Sequence, residues 1–248
     1  MRMAKYSANG NDFVIFHTDV KENRSELTKK LCHRQDGIGA DGLIVIVPNS
    51  DYDFEWQFYN ADGSDADMCG NGSRACAHYA YTHNLASNSM KFLTGAGVIK
   101  AQVENDLVQV ELTPPNIIDK NIEFNSKDWW LLDTGVPHLV HFTQNIEEFD
   151  IQEARELRYK YNANVNIAFI DANKNIKVRT YERGVEDETL ACGTGMAACF
   201  YRAYTEEKVA KTIEVYPRSN ETVYLGVNNN TITFKGAVKN TFNTEWNI

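Results

Sequence analysis

Two homologous domains of mixed strand and helix are predicted by three observations: a cysteine phrase that occurs twice, period-two strands ahead of both copies, and a proline pair near the midpoint. Met68-Cys69-Gly70-Asn71-Gly72 and Ala191-Cys192-Gly193-Thr194-Gly195 share one frame. It extends as Cys69-Gly70-x-Gly72-x-x-Ala75-Cys76-x-x-x-Ala80-Tyr81 over Cys192-Gly193-x-Gly195-x-x-Ala198-Cys199-x-x-x-Ala203-Tyr204. For both cysteine pairs the offset, 192 − 69 and 199 − 76, is 123, about half of the 248 residues. Self-similarity at that spacing is an internal duplication, and two copies are too few for a solenoid. Two facing domains are the expected result.

The elements follow from the patterning. Residues 53-59 and 175-181 alternate apolar and polar with period two, as half-buried strands do, and each runs into a polar turn and then the cysteine phrase. Short β-rich runs at 90-94, 97-103, 107-112, 212-216, 222-227 and 231-235 read as further strands. Segments 25-34 and 150-160 read as helices with polar outer faces. Pro114-Pro115 cannot easily continue a strand or open a helix, so the boundary is placed there, giving domains 1-114 and 115-236. A weaker echo sets Gly10-Asn11-Asp12-Phe13 against Gly135-Val136-Pro137-His138.

Composition narrows the function classes. With 43% hydrophobic residues the chain can bury real cores, and a net charge of −9 disfavours nucleic acid or an anionic membrane as partner. The N-terminal segment has no apolar signal region and no later apolar run is long enough to span a bilayer, so a soluble cytoplasmic protein is expected. Five cysteines, an odd number, point to reduced thiols rather than a disulfide framework.

A cysteine directly before Gly-x-Gly, followed by Ala, Cys and Tyr, sits at a helix N-terminus. The free N–H groups and partial positive charge there stabilise an anion, which lowers a thiol pKa and can hold a carboxylate. An isolated cysteine is more often packing, and that reading fits Cys76 and Cys199, which fall two turns further along the same helix face. No Cys-x-x-Cys spacing supports a zinc site, and neither phrase carries the Gly-Lys-Ser/Thr ending of a phosphate loop. Duplication of the glycine frame around Cys69 and Cys192 favours a functional pair.

These phrases, together with Asn9-Gly10-Asn11-Asp12-Phe13, Gly37-Ile38-Gly39-Ala40-Asp41-Gly42, Tyr59-Asn60-Ala61-Asp62-Gly63-Ser64, Asn164-Val165-Asn166 and Tyr181-Glu182-Arg183-Gly184, resemble the diaminopimelate epimerases over essentially the full length. The resemblance implies an α/β (α+β) fold of two pseudo-symmetric domains, each a curled, mostly antiparallel sheet around a central helix, with the active site in the interdomain cleft. It also implies that the tail 237-248 returns to the first domain. No cofactor or metal is required, the partner is a small-molecule substrate, and a homodimer is left open.

Inverting a stereocentre removes a proton from one face of Cα and delivers another to the opposite face. The resemblance assigns that work to Cys69 and Cys192, one as thiolate base and the other as thiol acid, a coupled pair. Backbone N–H groups of Gly70, Asn71, Gly193 and Thr194 are expected to stabilise the developing carbanion through the substrate carboxylate. Asn11, Asn60, Asn166, Glu182 and Arg183 are implied to bind the substrate, Arg183 gripping a carboxylate and Glu182 an ammonium group. His138, and also Glu182, are implied to assist proton transfer. Three departures touch substrate placement: Val136 stands where the family pattern has Asn, Gly42 where some members have Gln, and 184-191 is one residue longer. A proline or hydroxyproline racemase relative is the rival enzyme; a non-catalytic metabolite-binding protein is the rival from another class.

Overall fold

The computed structural model describes residues 1–112, 114–229 and 231–246; residue 113 beside the expected boundary, residue 230, and the last two residues of the 237-248 tail lie outside the described residues. The chain divides into two compact units, one of Met1–Glu111 with the chain from Gly236 onward, the other Leu112–Lys235.

The first unit contains β1 (Arg2–Ala8), β2 (Asn11–His17), α1 (Ser25–Cys32), β3 (Gly42–Val47), β4 (Phe54–Asn60), α2 (Gly70–Thr82), β5 (Ser89–Thr94), β6 (Gly97–Glu104) and β7 (Leu107–Glu111). The second contains β8 (Asn116–Phe124), β9 (Lys127–Asp133), β10 (Pro137–Phe142), α3 (Ile151–Tyr161), β11 (Asn164–Ile170), β12 (Ile176–Glu182), β13 (Asp187–Thr189), α4 (Gly193–Thr205), β14 (Thr212–Tyr216), β15 (Val223–Asn228) and β16 (Thr231–Ala237) as far as Lys235. The last strand, β17 (Lys239–Glu245), pairs antiparallel with β1.

Strand pairing repeats between the units. In the first, β17–β1 and β1–β2 are antiparallel, β2–β3 parallel, β3–β4 antiparallel, β4–β5 parallel and β5–β6 antiparallel. In the second, β8–β9, β9–β10, β10–β11, β11–β12, β12–β14 and β14–β15 follow the same alternation. The strand that β8 supplies in the second unit is supplied in the first by the end of the chain. Both units are thus mixed α/β, with a mostly antiparallel sheet packed on a 13-residue helix.

Local sequence explains these elements. β3, Gly-Leu-Ile-Val-Ile-Val, is an unbroken apolar run and is buried throughout, as an inner strand between two others should be. α2 is small-residue rich and buried from Gly70 to Ala80, which lets it lie close against β1, β2, β3, β6 and β7. α3 starts where the Asp150 carboxylate accepts the N–H groups of Gln152 and Glu153, and stops at Asn162 in the left-handed region at φ 50°. The β8–β9 hairpin has no counterpart among the sequence-read strands. Its exposed outer strand carries Asn116, Asp119, Lys120 and Asn121, poor strand formers, and its register shifts twice. Asn125 and Ser126, both at positive φ, make its two-residue turn. Among the described residues, no helix is long and apolar enough to cross a membrane.

Candidate active site

Each of the two long helices begins on a cysteine. Cys69 is the N-cap of α2 with extended backbone (φ −148°, ψ 117°), and its Sγ accepts the Gly72 N–H at 3.3 Å. Cys192 is the N-cap of α4 (φ −120°, ψ 110°), with Sγ 3.5 Å from Thr194 Oγ1. Gly70 and Asn71, like Gly193 and Thr194, are the first two residues of a helix, where N–H groups lie beyond reach of any helix carbonyl. Cys76 and Cys199 are fully buried free thiols, and burial pushes both pKa values far up. Neither can serve as an acid/base group near neutrality.

From the head of α2 a chain of polar contacts runs outward through Asn71. Asn71 Nδ2 donates to Asn11 Oδ1 at 2.7 Å, and Asn11 Nδ2 donates to Asp41 Oδ2 at 3.1 Å. Asp41 is held by Arg34 at 2.7 Å, which also forks onto Asp12. Lys5, buried, pairs with Asp12 at 2.7 Å and donates to Gly39 O. Burial alone raises the Asp12 pKa, but hydrogen bonds from Arg34 and Lys5 outweigh it and hold the carboxyl below its ordinary range. Arg74 donates to Asn71 Oδ1 and Asn9 Oδ1, both at 2.6 Å, and Gly236 is required because a Cβ there would lie 2.4 Å from the Arg74 guanidinium. Asn60, at the end of β4, is exposed, with Nδ2 donating to Ser64 Oγ at 3.0 Å. At Gly42 a side chain has no room: its Cβ would meet Phe58 Cε2 and Tyr59 O at 2.7 Å.

The second unit carries the remaining expected residues. His138 and Asn166 are completely buried, and Asn166 Nδ2 lies 3.1 Å from His138 Nδ1 and 2.8 Å from Leu139 O. His138 Nε2 lies 2.9 Å from Thr194 Oγ1. Burial lowers the His138 pKa to about 3, and the nearby Arg183 charge adds to that, so the ring is neutral. Glu182 ends β12 and Arg183 follows it, both half-buried. The Arg183 N–H donates to Asn164 Oδ1 at 2.7 Å and its Nη1 to Asn162 O at 2.9 Å. The longer segment after Arg183 closes as a hairpin in which Glu186, at φ 60°, donates its N–H to Glu182 O and pairs with Arg158 at 2.7 Å. Val136, half-buried, stands where Asn11 stands in the other repeat and brings no hydrogen-bonding side chain.

Sequence reasoning missed Lys5, Asp12, Arg34, Asp41, Arg74, Asn164 and Thr180. Asp12, Asp41 and Asn164 lie inside the motifs that carry the family resemblance, so motif membership is an available signal. Thr180, whose hydroxyl donates to Asn166 Oδ1 at 2.8 Å, carried none, because that contact depends on strand register.

The chain is thus a duplicated α/β unit with a cysteine at the head of each central helix, and its relatives are epimerases. The sequence profile of the Diaminopimelate epimerase family matches residues 3–118 and 130–235. A diaminopimelate epimerase of a Nitratiruptor species is 63% identical over 244 residues, 98% of each chain, and one of Helicobacter pylori (strain HPAG1) is 44% identical over 95% of this chain and 92% of its own. Among solved structures, a probable proline racemase from Agrobacterium radiobacter K84 aligns over all of this chain and 93% of its own, at TM-score 0.79 and 13% identity. A phenazine biosynthesis protein of the PhzF family from Bacillus anthracis aligns over 100% and 99%, at TM-score 0.75 and 16% identity. These two likenesses concern the fold. The chain belongs to the diaminopimelate epimerase family, and is an isomerase.

Proposed function

We propose that the protein interconverts LL- and meso-diaminopimelate without a cofactor, in the cytoplasmic synthesis of lysine and peptidoglycan precursors. Cys69 and Cys192 are the two acid/base groups, and the two units are the two epimerase domains, the first completed by the C-terminal tail. The observation that carries this reading is the recurrence of a cysteine N-cap at the head of both buried helices, in a chain of this family.

The chemistry follows from those positions. One thiolate takes the α-proton while the other thiol delivers a proton from the opposite face, and the roles exchange with direction. The N–H groups of Gly70, Asn71, Gly193 and Thr194 receive the charge that develops on the α-carboxylate. Asn11, Asn60, Glu182 and Arg183 bind the polar ends of the diaminodicarboxylate. Asn166, completely buried with both amide protons engaged and Oδ1 accepting from Thr180, supports the site from beneath α4. His138, neutral, assists as a hydrogen-bonding group.

The test is incubation of purified protein with LL-diaminopimelate in deuterated water under reducing conditions. Deuterium at Cα with formation of the meso isomer is expected. Absence of exchange rejects the proposal, and exchange of proline instead selects a proline racemase.

A further inference from the structure

The two repeats differ beneath their cysteine-headed helices. Phe13 faces Gly42 across β2–β3 as His138 faces Asn164 across β10–β11, which makes Phe13 and His138 counterparts. Two residues further along, Ile44 corresponds to Asn166, and their cross-strand partners are Phe58 and Thr180. In the first unit the triad is apolar: Phe13 and Phe58 pack edge to face, and Phe13 and Ile44 lie under Gly72. In the second it is His138, Asn166 and Thr180, all buried and hydrogen-bonded. Gly195, the counterpart of Gly72, sits over Asn166 so closely that a Cβ would lie 2.3 Å from its Oδ1.

The hydrogen bonds in that triad have a fixed direction. Leu139 O can only accept, so the atom 2.8 Å from it is the Asn166 amide nitrogen. Thr180 Oγ1 then donates to Asn166 Oδ1 at 2.8 Å. The same nitrogen donates to His138 Nδ1, which must therefore be unprotonated. A neutral ring with a bare Nδ1 carries its proton on Nε2, and that proton goes to Thr194 Oγ1. Asn164 Nδ2, 3.4 Å from both Nε2 and Pro137 O, gives its proton to the carbonyl, since Asn164 Oδ1 is fixed by the Arg183 N–H. The Thr194 hydroxyl, once it accepts from His138, has its own proton to give, and the Cys192 sulfur is 3.5 Å away.

We propose that Asn166, oriented by the Leu139 carbonyl and steadied by Thr180, is a positioning residue that locks His138 as the Nε2–H tautomer, committing the Thr194 hydroxyl to donate to Cys192 and favour its thiolate. His138 is in this chain a relay of hydrogen-bond direction and takes no proton from Cys192. The corresponding positions under α2 are the apolar Phe13, Ile44 and Phe58. α4 packs on β9, β10, β11 and β12, whose ionisable groups at this end are Asp133, His138 and Glu182, with Arg183 next in sequence and Cys199 on the helix itself. Thr180 and Asn166 matter to catalysis only if Cys192 is a proton-transfer group as proposed above. The readouts below need no substrate, so they stand or fall separately from that assignment.

The first readout is the 15N spectrum of the His138 ring in the full-length protein, expected to show Nε2 protonated and Nδ1 bare; the opposite tautomer overturns the proposal. The second is the pH midpoint of alkylation at Cys192 and Cys69, resolved by peptide mass spectrometry. In Thr194→Val the Cys192 midpoint is expected to rise by about one pH unit, a tenfold change in acidity, while Cys69 stays in place. Thr194→Ser, which keeps the hydroxyl, should hold the parental midpoint. An unmoved or lowered Cys192 midpoint in Thr194→Val, or an equal rise at Cys69, rejects the donor chain.

Discussion

Asn166 Nδ2 donates to His138 Nδ1 at 3.1 Å, and this bond leaves the histidine no acceptor for the proton it would gain in acid. Burial depresses the His138 pKa from 6.5 to about 3. Between those values the unfolded chain binds a proton that the folded chain refuses, so stability is full above pH 6.5 and falls as pH drops through the window. From pH 6.5 to 4 this one group removes roughly 3 kcal/mol. His17, His78 and His141 are also held below their ordinary value, chiefly by burial, and share the loss. Denaturant unfolding of His138→Gln at pH 7 and pH 4 should therefore show a smaller drop than the parent. Equal drops would refute the burial argument.

The two glycines of the repeated phrase are not equivalent. A Cβ at Gly72 meets Cys69 Cβ, Ile44 Cδ1 and Phe13 Cε1 at 3.3–3.5 Å, while one at Gly195 meets Asn166 Oδ1 at 2.3 Å. Gly195→Ala is expected to cost about 2 kcal/mol or more, and Gly72→Ala clearly less. Thermal melts of the two variants decide it; equal losses would mean that the second helix shifts without penalty.

Cysteine positions along each helix separate chemistry from packing. Cys69→Ala and Cys192→Ala should each lower meso-isomer formation by at least about a thousandfold with the fold retained by circular dichroism. Cys76→Ala and Cys199→Ala, at fully buried sites, should instead lose about 1–2 kcal/mol of stability and keep turnover. Retained turnover in Cys69→Ala or Cys192→Ala rejects the two-base mechanism.

Asp41 fixes Asn11 through its side-chain amide, and Arg34 fixes Asp41. Asp41→Ala should raise KM for diaminopimelate about tenfold and change kcat little, because the lost group orients a binding residue and touches no reacting atom. A fall in kcat at constant KM would place Asp41 nearer the chemistry.

β17 pairs along β1 from Arg2 to Ser7. Termination after Val238 should leave that edge of β1 unpaired and lower Tm by several degrees, with a tendency to associate. An unchanged Tm in a differential scan would show that the strand adds nothing to the first unit.

The cysteine-headed helices were legible because the phrase is local. Gly-x-Gly after Cys69 and Cys192 sets a turn into a helix through backbone freedom alone, and the alternation of 53–59 and 175–181 sets strands through side-chain period. The burial of Cys76 and Cys199 followed from helical spacing. The β8–β9 hairpin was not legible, since its outer strand is polar and its pairing rests on the turn at Asn125 and Ser126. The Lys5–Asp12–Arg34–Asp41 network was hidden for a different reason: its members come from three separate segments, and no periodicity links them.

Sequence by itself determined the duplication, the family, the two cysteines and the helices they head, because each of these is written in contiguous residues. Only the tertiary structure decided that the repeats stand on different beds. Whether Phe13, Ile44 and Phe58 or His138, Asn166 and Thr180 lie under a helix depends on strand register, and register is a relation between distant segments that becomes fixed when the sheet forms. Hydrogen-bond direction followed from that placement, since it took the carbonyl of Leu139 to orient Asn166 and, through it, His138.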